Sequence, residues 1–278
     1  MNVGYLQIGD HRAVLVMSEE NKEKCLLAVQ LGNAETSCGV FLRGQLVAHW
    51  TTATRVRATS DDLEAGLRMF LASKDAPAPN QAILCSVVPL AADAWEAALE
   101  AVCGCRVLSV GPGLKTGLSL KYKDPAQVGA DRVVCAVAAK HLYGAGVIVV
   151  DFNHSATAFS VIDQKGAFAG GVIAPGLAVS LNALASSAAQ LVLPTLHVPD
   201  QVLGRSTPDA IVTGVVLGEV FRADGFVEAL WSELGEKTQL VATGRFASLV
   251  VPRSAYDFAV EPYLALLGLH RLWELNGK

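Results

Sequence analysis

The sequence predicts an α/β protein built from two similar halves, each a mixed sheet flanked by helices, and three observations indicate this class. A unit of three short strands occurs twice, beginning at the apolar run Leu26–Leu31 and again at Val147–Phe152, with Gln30 and Asp151 in equivalent places. Ala-rich segments with helical spacing follow each unit. Finally, 52% of the residues are hydrophobic and only 17% are charged, against roughly 25% charged in ordinary domains. This composition is expected where helices cover both faces of a sheet.

The first half begins with a meander whose turns are the polar segment 32–35 and the tight hairpin Arg43-Gly44. Its strands are expected over Leu26–Leu31, Thr36–Leu42 and Gln45–Thr51, and a further buried strand over Ala82–Val87. Helices are expected over Asp61–Lys74, Ala91–Val102 and Gln127–Leu142. The first helix carries its apolar residues on one face, and its Asp61 with Glu64 resembles a capping box.

The second half repeats this order, with its polar turn at 153–155 and its hairpin at Lys165-Gly166. Strands are expected over Val147–Phe152, Thr157–Asp163, Ala167–Val172 and Gln239–Ala242. Helices are expected over Leu177–Leu191, Pro208–Phe221, Gly225–Leu234 and Ala259–Glu274. The duplication predicts a cleft between two lobes, with phosphate bound at the two polar turns because backbone amides at tight turns form anion-binding nests.

Composition and charge exclude several classes of function. No apolar run approaches the roughly 18 residues of a membrane-spanning helix, and residues 1–25 do not resemble a signal peptide. The net charge is −4 and no basic cluster is present, so neither nucleic acid nor a membrane is expected as a partner. Six cysteines without metal-ligand spacing indicate free thiols in a reducing compartment, so we expect a cytoplasmic protein.

Six motifs occur in the order and spacing of a known family: LGN (31–33), GADR (129–132), VVDF (149–152), GGVIAPG (170–176), GRST (204–207) and ATG (242–244). This pattern resembles the type III pantothenate kinases of the acetate and sugar kinase/Hsc70/actin superfamily. The resemblance implies ribonuclease-H-like (actin-like) lobes over residues 26–145 and 146–278. Residues 1–25 have no counterpart and are expected to be an extra strand or a tail.

The resemblance also implies an activity. The family transfers the γ-phosphate of ATP to pantothenate at the start of coenzyme A synthesis. It uses Mg²⁺ and a monovalent cation (K⁺ or NH₄⁺), and it works as a homodimer with its site near the subunit interface. We therefore expect pantothenate as the small-molecule partner and a second copy of the chain as the protein partner.

The residues that bind the acceptor in this family have matching residues in this chain. Asp131 matches the general base that takes the proton of the attacking hydroxyl. Arg132 matches the residue that binds the pantothenate carboxylate, a role suited to a forked guanidinium. Tyr122 and Gly129 match further pocket positions, and Thr207 matches the threonine that closes the pocket.

The first nucleotide hairpin departs from the family pattern Asp-x-Gly-Asn-Thr. Gln30 stands in place of the acid that organises Mg²⁺, and Ala34 in place of the threonine. Glutamine carries no charge and is therefore a poor ligand for a hard dication. Gly32 and Asn33 remain and could supply backbone amides to a nucleotide.

The second hairpin and the adenosine segment are also altered. Asp151 survives as the expected metal ligand, but the glycine that follows it in the family is lost and the hairpin reads as one residue longer. Ser155, Thr157 and Gly244 remain at nucleotide-facing places, while Arg245 replaces a family glycine. His154 is expected to be a turn residue, with contact to an anion as its alternative role.

These departures leave three functions open. The leading hypothesis is an ATP-dependent pantothenate kinase whose chemistry is impaired by Gln30, Ala34 and the second hairpin. The alternative is a non-catalytic pantothenate-binding paralogue, acting as a sensor or as the partner of an intact kinase subunit in a mixed dimer. A relative with a changed acceptor is a third reading, and the kept acceptor pocket counts against it.

Overall fold

A computed structural model of the chain describes residues 3–8, 11–16, 24–187 and 193–277. The two strands nearest the amino terminus, β1 (Val3–Ile8) and β2 (His11–Val16), pair as an antiparallel hairpin. This hairpin accounts for part of the segment that the sequence predicted as an extra strand or tail.

The remaining strands form two sheets of five strands each. The first contains β3 (Cys25–Leu31), β4 (Glu35–Leu42), β5 (Gln45–Ala53), β6 (Gln81–Ser86) and β7 (Leu108–Ser109). The second contains β8 (Val147–Phe152), β9 (Ala156–Ile162), β10 (Phe168–Pro175), β11 (Gln239–Thr243) and β12 (Ala259–Val260). Seven α-helices are described: α1 (Ser60–Ser73), α2 (Pro89–Cys103), α3 (Ala130–Tyr143), α4 (Leu177–Ser187), α5 (Thr207–Leu234), α6 (Ala247–Val250) and α7 (Leu264–Asn276).

The two sheets share one topology, which confirms the predicted duplication. Their strand orders are β5-β4-β3-β6-β7 and β10-β9-β8-β11-β12. In each, the first three strands of the unit form an antiparallel meander, and the first strand also pairs in parallel with a later strand. Gln30 lies opposite Ser37 and Cys85, and Asp151 lies opposite Ala158 and Thr243. The two residues are therefore structural equivalents, as predicted.

Helices cover both faces of each sheet, which explains the continuous apolar strands. One face of the first sheet is buried by α1 and α2, whose inward residues include Leu67 and Leu99. One face of the second sheet is buried by the long helix α5 through residues such as Val216 and Val220. Strands that are buried on both faces are apolar at successive residues rather than at alternate ones.

The helices α3 and α7 lie between the two sheets and belong to a core that both lobes share. This core joins Leu26 and Ile83 of the first sheet to Val149 of the second through the inward faces of both helices. The carboxyl-terminal helix α7 thus packs against α3 and against strands of the first sheet. The base of the cleft is built by these helices.

Several predicted boundaries were wrong. The segments predicted as two helices form the single helix α5, because Gly225 lies within a helix whose buried positions continue from Val220 through Ala223 to Val227. The predicted helix from Gln127 starts instead at Ala130, after a short 3₁₀ turn. The predicted helix Leu177–Leu191 ends at Ser187 in the described residues, and 188–192 lie outside them.

The last predicted helix also begins later than expected. Ala259 and Val260 form β12, which pairs with β11, and α7 starts at Leu264. Pro262 lies between the two elements, and a proline disfavours helical backbone in the residue before it. At α1 the capping box uses Thr59 and Asp62 rather than Asp61 and Glu64, since Thr59 is the residue that adopts the extended N-cap conformation.

The cysteines lie mostly in the interior of the protein. They form no disulfide within the part of the chain that the structure describes, and five of the six are buried. Cys103 ends α2 and Gly104 caps it with left-handed backbone, so Cys103-Gly-Cys105 is a helix terminus. Among the described residues, no group of three or more metal-ligating side chains could hold an ion, and no helix is long and apolar enough to cross a membrane.

Candidate active site

A cleft lies where the carboxyl ends of β3 and β8 face each other across the shared helices. In open α/β sheets ligands bind outside the carboxyl ends of the strands. The cleft holds a cavity of about 310 Å³ and an adjoining one of about 110 Å³. Gln30 and Asp151 line both cavities, and Asp131 lines the smaller one.

The first hairpin is held rigidly at the edge of the smaller cavity. The amide of Gly32 donates to the carbonyl of Glu35 at 3.0 Å, which closes the turn. The hydroxyl of Thr54 donates to the carbonyl of Gly32 at 2.7 Å and lies 2.9 Å from the hydroxyl of Thr36. Gly32 and Asn33 therefore keep a fixed backbone beside the cavity although the hairpin has lost its acid and its threonine.

The second hairpin has the same loop length as the first in this chain. Its turn closes through the amide of Asn153, which donates to the carbonyl of Ala156 at 3.1 Å. Three residues, 153–155, thus join β8 to β9, just as 32–34 join β3 to β4. Ser155 lines the smaller cavity, as its predicted contact with a nucleotide requires. Asn153 occupies the place of Gly32 and is the residue that carries the extra side chain.

Asp131 lies in the first turn of α3 and reaches the smaller cavity. Its Oδ1 accepts a hydrogen bond from the backbone amide of Arg132 at 2.8 Å. An anion at a helix amino terminus is stabilised by the helix dipole. Gly129 precedes the helix, and a Cβ atom there would lie 2.5 Å from Oδ1 of Asp131. Gly129 thereby provides the space in which the carboxylate sits.

Asp151 is the second acid of the cleft. Burial raises the pKa of Asp151 to about 7, the negative charge of Asp131 adds to the rise, and a hydrogen bond from Asn153 opposes it. This hydrogen bond joins Nδ2 of Asn153 to Oδ1 of Asp151 at 2.7 Å. Gly244 has left-handed backbone, φ +88°, and packs so closely on the carboxylate that a Cβ atom would overlap it. The two acids therefore share one partly dehydrated space.

Arg132 is buried and points away from Asp131 into the second lobe. Its Nε donates to the hydroxyl of Ser160 at 3.2 Å, and its Nη2 donates to the carbonyl of Phe159 at 3.0 Å. The guanidinium carbon lies 5.2 Å from the ring centroid of Phe168. Nη1 makes no hydrogen bond to any described residue. Arg132 thus ties α3 to β9, and it lines neither cavity of the cleft.

The other predicted site residues differ in how close they lie to the cleft. Gly244 lines the larger cavity. Tyr122 is half-buried and packs on Phe168, with 6.0 Å between ring centroids, so it lies near the Arg132 guanidinium. Thr157 is fully buried in β9, its hydroxyl has no hydrogen-bond partner among the described residues, and it lines neither cavity. Thr207 begins α5 and lines a separate surface depression. Within one chain the structure brings neither threonine to the cleft.

An ion cluster that the sequence analysis missed crosses the mouth of the cleft. Oε1 of Glu35 lies 2.6 Å from Nη1 of Arg245 and 3.3 Å from Nε2 of His154. Glu35 begins β4 in the first lobe, whereas His154 and Arg245 belong to the second. The only sequence signal was position, since Glu35 directly follows the first hairpin, His154 lies in the second hairpin and Arg245 directly follows Gly244.

The donor set of the cleft fits a divalent cation that arrives with a nucleotide. Mg²⁺ at nucleotide sites is usually held by one or two carboxylates together with the phosphates. Asp151 would hold the ion, with Asn153 orienting its carboxylate, and a cation there would relieve the repulsion between Asp151 and Asp131. Gln30, the equivalent residue of the first lobe, is an uncharged amide and therefore a poor ligand for a hard dication.

Two sheets of one topology, facing each other over a cleft with a polar hairpin on each side, define the actin-like class of two-lobed proteins. Solved structures agree in fold. A conserved protein of the Baf family from Campylobacter jejuni superposes with a TM-score of 0.57 at 16% identity, over 90% of this chain and 98% of that one. The ethanolamine utilization protein EutJ from Carboxydothermus hydrogenoformans gives 0.55 at 15% identity, over 90% of each chain. The activator of 2-hydroxyisocaproyl-CoA dehydratase from Clostridium difficile, with bound ADPNP, gives 0.52 at 9% identity, over 91% and 94%.

The family follows from the sequence itself. The model of the type III pantothenate kinases matches residues 26–229, well over half of the chain. The chain belongs to the type III pantothenate kinase family, which confirms the resemblance seen in its motifs.

Proposed function

We propose that this chain binds pantothenate beside Asp131 and ATP at the two hairpins, and that it is an ATP:pantothenate phosphotransferase with strongly impaired turnover. The observation that carries the proposal is the placement of Asp131. Its carboxylate lies in the small cavity between the hairpins, where the phosphate chain of ATP and the hydroxyl of an acceptor would meet. A base in this place takes the hydroxyl proton as the phosphoryl group is transferred.

The carboxylate of the acceptor would extend from the base towards the Arg132 guanidinium, which points into the second lobe. Nη1 of Arg132 is the guanidinium nitrogen that makes no hydrogen bond to the described residues, and a carboxylate is the ligand that this group favours. Tyr122 packs on the same Phe168 ring as the guanidinium and gives the acceptor an aromatic wall. Both features favour a small carboxylic acid such as pantothenate as the substrate.

Phosphoryl transfer is impaired because charge is missing where the metal is organised. When bound, Mg²⁺ neutralises charge that develops on the phosphates. In this chain Gln30 is neutral, so one carboxylate that would help to hold the ion is missing. The loss of one such charge is worth about 2–3 kcal/mol, roughly 100-fold in rate. We also infer that K⁺ or NH₄⁺ assists, as the family membership implies.

A homodimer would complete the acceptor pocket. Thr207 cannot contact a ligand beside Asp131 in its own chain, because it lines a different depression. The family's site near the subunit interface offers a simple explanation, in which Thr207 of one subunit closes the pocket of the other. We propose a cytoplasmic homodimer on this basis.

The test is turnover by the purified chain. ATP, Mg²⁺, K⁺ and pantothenate are incubated with the protein, and phosphopantothenate is followed by mass spectrometry. We expect slow product formation that disappears in Asp131→Asn. The matched control is Asp93→Asn on the exposed face of α2, which should keep the wild-type rate. Product formation that persists in Asp131→Asn would contradict the proposed base.

A second candidate is a non-catalytic pantothenate-binding subunit that acts as a sensor or pairs with an intact paralogue. The Glu35 cluster favours it, since a carboxylate already fills the space between Arg245 and His154 beside the hairpins. In that case pantothenate raises the melting temperature without any turnover, and Arg132→Gln abolishes the rise.

A further inference from the structure

The Glu35 cluster lies where a nucleotide's phosphates would pass. Glu35 lines both cavities of the cleft, Arg245 lines the larger one and His154 the smaller one. The three side chains therefore surround the junction of the two cavities. They also join the lobes, because Glu35 and Arg245 lie 210 residues apart in the chain.

The geometry of the cluster suits an anion. Arg245 and His154 approach the same oxygen, Oε1 of Glu35, at 2.6 and 3.3 Å. A phosphate oxygen presents the same charge to such donors and accepts charge-assisted hydrogen bonds of the same kind. The His154 ring is held by an edge-on contact with Phe246, with centroids 5.0 Å apart, so its direction is determined by packing.

The cluster is also weak enough to open. The side chains of Glu35 and His154 are 26% and 30% exposed, and that of Arg245 is 56% exposed. Exposed ion pairs of this kind change an equilibrium by only about two- to fivefold. A polyphosphate carries several charges and can therefore replace a single carboxylate.

We propose that Arg245 and His154 form an anion site for a polyphosphate chain, and that the Glu35 carboxylate occupies this site until the ligand displaces it. The inference deepens the proposed function, on which it rests for the nature of the ligand. Binding would break the contact between the lobes at the cleft mouth and replace it with contacts to the phosphates. Glu35 then competes with the ligand, while Arg245 and His154 recognise it.

The test is calorimetric titration of the full chain with sodium tripolyphosphate and with ADP, each in EDTA and in Mg²⁺, without pantothenate. Glu35→Gln removes the competing charge, so we expect both probes to bind about two- to fivefold more tightly than to the wild type. Arg245→Gln removes a recognising cation, so we expect weaker binding by a similar factor. Matched controls are Glu64→Gln and Arg68→Gln, which neutralise an exposed pair on α1 and should change neither affinity.

Two results would overturn the inference. One is that both probes bind Glu35→Gln no more tightly than the wild type. A titration in which neither probe binds the wild type or any variant counts as the same result. The other is unchanged binding to Arg245→Gln, which remains decisive if Glu35→Gln fails to fold. Because pantothenate and turnover play no part in the titration, a chain that forms no phosphopantothenate can still show the expected order of affinities. The titration can therefore contradict the proposed anion site without contradicting the proposed kinase activity, and the turnover assay can do the reverse.

Discussion

A Cβ atom on Gly129 would lie 2.5 Å from Oδ1 of Asp131, so the start of α3 accommodates the carboxylate only because residue 129 has no side chain. The glycine adopts φ −55° and ψ 136°, which any residue can adopt. Gly129 is therefore needed because it leaves space for the carboxylate, and its backbone conformation is not the reason. This relationship links a motif glycine to the position of the proposed base.

We predict that Gly129→Ala lowers phosphopantothenate formation by about 10- to 100-fold, because a base displaced by an ångström loses its reach to the hydroxyl. Stability should change by less than about 1.5 kcal/mol, since the neighbour that must move is a side-chain terminus. The measurement is the rate of product formation beside urea unfolding. Gly111→Ala, where a Cβ atom meets nothing within 4 Å, is the control and should keep the wild-type rate.

The first hairpin offers a gain-of-function prediction. The double variant Gln30→Asp/Ala34→Thr restores the acid and hydroxyl of the family pattern at the edge of the small cavity. We expect it to bind Mg²⁺–ATP about tenfold more tightly, because a second carboxylate joins Asp151 in holding the ion. The gain should vanish in EDTA, where the added charge only repels the phosphates. Equal gains with and without the metal would contradict this account of the hairpin.

The raised pKa of Asp151 predicts a pH-dependent stability difference. The folded chain holds the proton up to about pH 7, whereas the unfolded chain releases it near the ordinary value of 3.8. The unfolded state thus binds fewer protons between these values, so this group lowers the free energy of unfolding as the pH rises through that window. Asp151→Asn removes the effect.

We therefore expect Asp151→Asn to be more stable than the wild type by on the order of 4 kcal/mol at pH 8, and equal to it near pH 4. Urea unfolding at several pH values measures the difference. Asp93→Asn on the exposed face of α2 should show no such trend. A constant difference between Asp151→Asn and the wild type at all pH values would mean that charge is not its cause.

The contact between α3 and α7 predicts a further stability change. A Cβ atom on Gly268 of α7 would overlap the carbonyl oxygen of Val134 in α3, and that backbone cannot move alone. Gly268→Ala should therefore cost about 2–3 kcal/mol of unfolding free energy. Gly66→Ala in α1 meets nothing within 4 Å and should instead stabilise the chain by about 0.5–1 kcal/mol. Thermal unfolding of the two variants tests both the predicted loss and the predicted gain of stability.

The sequence by itself determined the duplicated α/β fold, the family and the equivalence of Gln30 with Asp151. Apolar runs, hairpin dipeptides and motif order are local features of the sequence. They predict the fold because buried strands require apolar residues and tight turns require particular dipeptides. Boundaries such as the unbroken α5 were missed because Gly225 is a helix breaker by propensity but lies within a continuous buried stripe. Propensity is overridden where tertiary burial continues the helix.

Only the tertiary structure decided how the cleft is completed. It buried Arg132 against Phe159 and Ser160, took Thr157 out of reach, and brought Glu35 to Arg245. None of these follows from local pattern, because each depends on where the second lobe packs relative to the first. The missing acid at Gln30 could be read from the sequence. The contact of the Glu35 carboxylate with Arg245 and His154 across the cleft could not.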